Sequence, residues 1–77
     1  MYAEEGSNLD EAVTLIKRAI ELDPYNGAYI DSLGWAYFQS NMTAEALVEL
    51  EKAIKLEPND PEIREHLKRV REKLKGQ

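Results

Sequence analysis

Cysteine is absent from the 77 residues. No disulfide can brace the fold and no thiolate can bind a metal, so stability has to come from packing. Histidine occurs once, as His66. Glu62 stands four residues before it, on the same helix face, but a metal centre needs three or four ligands and no others converge by spacing. His66 therefore reads as a surface histidine among glutamates, and no metal or other cofactor is expected. The four glycines are scattered, which excludes a glycine-rich phosphate loop. Ser7, Ser32, Ser40, Thr14 and Thr43 have no histidine at a spacing that would make a nucleophile and its base. No apolar run approaches the roughly 20 residues of a membrane-spanning helix, and no secretory leader pattern is legible. Catalysis and membrane insertion thus have no support in the sequence, and the compartment cannot be read from it.

Basic residues are scarce in most of the chain. Residues 1–60 hold 4 basic and 12 acidic side chains, whereas residues 61–77 hold 6 basic and 3 acidic, giving −5 in all. An acidic body argues against nucleic acid, which needs a basic stripe. The basic end reads as a solvated last helix, with Lys73 and Lys75 placed to favour its negative pole.

What the chain does have is a repeat. The segment from Ala12 to Pro24 returns as Ala46 to Pro58, with Ala19 and Ile20 returning as Ala53 and Ile54, each 34 residues later. A fixed period of this size marks a helical repeat array, so the expected fold class is all-α with antiparallel helix-turn-helix units.

Four helices follow from periodicity and punctuation. The first is expected over about Leu9 to Leu22, capped by Asn8 with Glu11 as its capping-box partner and stopped by Pro24. Its apolar stripe is wide, which predicts more than one neighbour. The second runs from about Ala28 to Ser40, starting at Asn26 or Gly27. It carries apolar or small residues on adjacent faces, so it should be wedged between others, with Gly34 admitting a close approach. The third runs from Met42 or Thr43 to Leu56, with Asn41 or Thr43 as its cap. The fourth starts at Pro61 with Asp60 as its cap, and ends near Lys75 at Gly76. Its single stripe of Ile63, Leu67, Val70 and Leu74 suits a helix that closes one end of a stack.

The pattern Ile30-x-x-Leu33-Gly34-x-x-Tyr37, then Ala46-x-x-x-Leu50, Ala53 and Pro58, resembles the tetratricopeptide repeat. The resemblance divides the single domain, residues 1–77, into three parts. Residues 8–26 are the second helix of a truncated repeat, 27–60 a complete repeat, and 61–77 a carboxy-terminal capping helix. Met1 to Gly6 would be the stub of the first repeat's missing helix. Arg64, Lys68 and Arg71 replace Ile30, Gly34 and Tyr37, the polar outer face of a terminal helix. The segment from Asp31 to Tyr37 is also similar to the last repeats of long bacterial members, which implies a piece of a larger array cut inside a repeat.

The resemblance implies a protein or peptide partner held on the concave face lined by the first helix of each repeat. That places Asp31, Trp35, Phe38 and Gln39 on one side, and Glu62, Glu65 and Arg69 on the other. The alternative for Trp35 and Phe38 is burial beneath Ile63 and Leu67. Relatives that clasp chaperone carboxylate tails use a basic cluster there, which Asp31 and Trp35 do not supply. Leu9, Val13, Ile16 and Ile20 are expected to stay partly open on the truncated repeat and to allow a homodimer. The competing role is a structural end cap or self-associating module.

Overall fold

A computed structural model describes the backbone of residues 4–76 and the side chains of residues 10–76. The elements among the described residues are four helices: α1 (Glu4–Leu22), α2 (Gly27–Gln39), α3 (Thr43–Leu56) and α4 (Pro61–Lys75). Short turns join them, so successive helices run antiparallel, as the repeat pattern predicts.

α1 begins earlier than expected. The helix is continuous from Glu4, so Asn8 lies inside it and caps nothing, and Glu4 to Gly6 extend α1 instead of forming a separate stub. Glu4 and Glu5 in the first turn suit the positive end of the helix dipole, which favours the extension. Met1 to Ala3 lie outside the described residues. At the other end Pro24 follows the last turn, where the Asp23 amide donates to the Ala19 carbonyl at 2.9 Å.

Asn26 caps α2, its side chain accepting from the Tyr29 amide at 3.1 Å. Asp60 caps α4, accepting from the amides of Glu62 and Ile63 at 2.9 and 3.1 Å, with Pro61 following it. Gly76 stands at the C-terminal cap of α4 as expected. α3 differs: Met42 occupies its N-cap and no side chain bonds there. Asn41 is instead the residue that reverses the chain after α2, at φ 68° in the left-handed region that asparagine tolerates. Thr43 is the first residue of α3 and is buried.

The core forms where α2, α3 and α4 meet. Ala46, Leu50, Leu67 and Val70 make one buried cluster, with Tyr37, Phe38 and Leu74 packed against it. Ile30, Ala53 and Ile63 make a second, reached from α1 by Ile20 and from α3 by Ile54. α2 is wedged between α1 and α3, and also touches α4. Gly34 is required at that wedge: a β-carbon there would lie 2.7 Å from Leu50 Cγ and 3.2 Å from the Ala46 carbonyl oxygen. Burying these side chains stabilises the fold by roughly 1.5–3 kcal/mol for each large aliphatic one.

The wide stripe of α1 predicts several neighbours, yet among the described residues α1 packs on α2 alone. The repeat makes the consequence measurable. Ala46, Leu50 and Ala53 are 0% exposed. Their counterparts 34 residues earlier, Ala12, Ile16 and Ala19, are only half-buried.

Candidate functional site

α2 turns Asp31, Trp35 and Phe38 toward α4 because these residues recur at steps of four and three, on the flank of the helix beside its buried Ile30 and Gly34. α4 answers with His66. The His66 Nδ1–H donates to Asp31 Oδ1 at 2.8 Å, and neither side chain is more than 14% exposed. A carboxylate can only accept, so the bond assigns the proton to Nδ1. The His66 ring lies on the Trp35 indole, centroids 4.0 Å apart with 18° between planes. Trp35 stacks in turn on Phe38 at 5.0 Å. Offset stacking of this kind adds about 0.5–1.5 kcal/mol per pair beyond the area buried. The Lys73 ammonium sits 5.8 Å from the centre of the Phe38 ring.

The result is a column, Phe38–Trp35–His66, pinned at one end by Asp31. Burial holds the Asp31 carboxyl above its ordinary value of 3.8. The hydrogen bond and charge of His66 oppose that rise, and the negative charges of Glu62 and Asp60 add to it.

The expected site residues fall into two groups. Asp31 is 7% exposed and committed to His66, so it is not the open carboxylate expected to select a cation or amide. Trp35 and Phe38 are half-buried, and the side chain laid over Trp35 is His66. Gln39, Glu62, Glu65 and Arg69 are exposed. Glu65 and Arg69 pair on the surface of α4 at 3.0 Å. Of the self-association residues, Val13, Ile16 and Ile20 are half-buried, and the Leu9 side chain lies outside the described residues.

His66 is the residue that the expectation of a surface histidine missed. Its signal was present: it stands three residues after Ile63 and four before Val70, on the edge of the buried stripe of α4. Among the described residues, no group of three or more His, Cys, Asp or Glu side chains is arranged to hold a metal. No described helix is long and apolar enough to cross a membrane.

Residues 3–72 match the tetratricopeptide repeat family. The chain belongs to that family. Its members are in general non-catalytic protein-interaction repeats, and this chain is a protein-interaction module in that general sense. Comparison with curated proteins gives no match.

Proposed function

We propose that this tetratricopeptide-repeat unit binds a segment of a partner protein along the seam between α2 and α4 and catalyses no reaction. The observation that carries the reading is the stacked column Phe38–Trp35–His66, held between two helices and bordered by exposed polar groups. Aromatic faces supply contact area at low entropic cost, which is why they anchor interfaces. Gln39, Glu62, Glu65 and Arg69 form the polar border, and Asp31 acts through His66 by fixing the ring. The repeat boundaries that fit this reading are 8–26, 27–60 and 61–77, with α4 as the closing helix.

The test is a random peptide library displayed and selected against the intact chain. Selected peptides should shift the indole N–H resonance of Trp35 and should lose affinity with Arg69→Glu, an exposed change that leaves the fold alone. Peptides that bind without moving Trp35 would place the interface elsewhere. A second reading, a structural or self-associating unit, is favoured by a separate observation: the half-buried state of Ala12, Ile16 and Ala19.

A further inference from the structure

The open side of α1 carries a pattern of its own. Ala12, Leu15, Ala19 and Leu22 follow one another at steps of three, four and three. That is the seam of a two-helix coiled coil. It lies beside, not on, the Val13, Ile16 and Ile20 flank turned toward α2. Leu15 is 64% and Leu22 89% exposed, while Ala12 and Ala19 are half-buried. Two large leucines on one open helix face lose hydrophobic free energy unless something covers them.

The charges identify the cover. Glu11 and Arg18 each stand one residue before an alanine of the seam, so they occupy the same heptad position with opposite sign. Both line a shallow groove along α1 together with Leu15. Same-position residues face each other across an antiparallel helix pair. Two copies related by a two-fold axis therefore set Glu11 against the partner's Arg18, and Arg18 against the partner's Glu11. This face is complementary to itself, the condition for an isologous dimer.

Growth of the repeat from end to end is excluded as the cover. In such an array α4 of one copy would meet α1 of the next as α2 meets α3. Lys68 stands where Gly34 stands, and even a β-carbon at Gly34 comes within 2.7 Å of Leu50. Lys68 against Ile16, the counterpart of Leu50, cannot pack that way.

We propose that the chain forms a two-fold dimer in which α1 pairs antiparallel with α1 of a second copy through Ala12, Leu15, Ala19 and Leu22. The surface is independent of the α2–α4 seam, so either can fail without the other. A single helix pair buries little area, and the dissociation constant is expected on the order of 100 µM.

Sedimentation equilibrium from micromolar to millimolar concentration is the test. The mass should rise from the monomer's 8.8 kDa toward twice that value. Leu15→Glu should abolish the rise with helicity by circular dichroism unchanged. Glu11→Lys and Arg18→Glu should each weaken self-association roughly tenfold, because each sets like charges across the seam in both directions. An equimolar mixture of these two variants should regain wild-type association. The lysine introduced in one chain then meets the glutamate introduced in the other, and the remaining native Arg18 and Glu11 meet on the second side. That substituted pairing arises only in the antiparallel register. A wild-type chain that stays monomeric at millimolar concentration overturns the dimer. A dimer that survives Leu15→Glu, or a variant mixture that fails to recover, overturns this face or this register.

Discussion

At the scale of single residues, the Asp31–His66 pair governs how the molecule responds to acid. Asp31 titrates above 3.8 in the folded chain because burial disfavours its charge. Between 3.8 and the raised value the folded state keeps a proton that the unfolded chain has released. Stability is therefore higher below that window and falls as pH rises through it. Asp31→Asn keeps an acceptor for the His66 N–H and removes the titration. Its stability should stay within about 1 kcal/mol of wild type at neutral pH, and the acid-side slope should flatten. Urea unfolding across a pH series checks both, and an unchanged slope would assign the effect to another carboxylate. His66→Ala does the opposite: it strands a buried carboxylate and uncovers Trp35. It should cost roughly 3 kcal/mol at neutral pH, with a change in Trp35 fluorescence. A loss below about 0.5 kcal/mol, the size of a surface pair, would mean that water already serves Asp31. The sequence put Asp31, Trp35 and Phe38 on one helix flank, because a 100° step per residue does so for any helix. It did not show that Asp31 and His66 meet. They stand 35 residues apart, one off the period, so neither occupies the other's place in the repeat.

At the scale of the elements, the stops and the close approach were legible, whereas the starts of α1 and α3 were not. Proline and Asp60 act locally, through a missing N–H and a short side chain, so Pro24, Asp60 and Pro61 read correctly from the chain alone. Asn8 and Asn41 have the same chemistry as a cap, but α1 runs through the first, and the second is used for its left-handed backbone. Only the three-dimensional path separates those uses. Asn41→Val should cost about 1–2 kcal/mol, and Asn41→Gly should be neutral or slightly stabilising, because the strain lies in the β-branched side chain at positive φ. Thermal unfolding of the two variants checks the order. Gly34 sets two effects against each other. Alanine gains roughly 1 kcal/mol of helix propensity, while overpacking costs roughly 1–3 kcal/mol. Overpacking wins here, since Leu50 is fully buried and the Ala46 carbonyl oxygen, 3.2 Å from the new carbon, belongs to the backbone of α3. Gly34→Ala should therefore lower the denaturation midpoint, and a raised midpoint would show that α2 and α3 can slide apart without loss.

At the scale of the whole molecule, one helix of each kind is well covered and its repeat counterpart is not, and that asymmetry sets where the chain opens. α3 lies between α2 and α4 and holds three residues at 0% exposure. α1 leans on α2 alone among the described residues. The Glu51–Arg71 pair, at 3.6 Å, ties α4 to α3, whereas the Lys17 ammonium over the Tyr37 ring, at 5.9 Å, is the comparable tie from α1 to α2. Opening α1 exposes few fully buried side chains, and opening α3 exposes the core, so local opening should cost α1 far less. Amide hydrogen exchange read by mass spectrometry should then show a gradient at micromolar concentration, with α1 exchanging fastest and α3 following global unfolding. The antiparallel dimer adds a second expectation: protection of α1 should rise with concentration while that of α3 stays level, because pairing covers α1 and leaves the core as it is. Leu15→Glu should remove the concentration dependence and keep the gradient. Equal protection in α1 and α3 at low concentration would mean that α1 opens only with the whole fold, and α1 would then be as much a part of the core as α3.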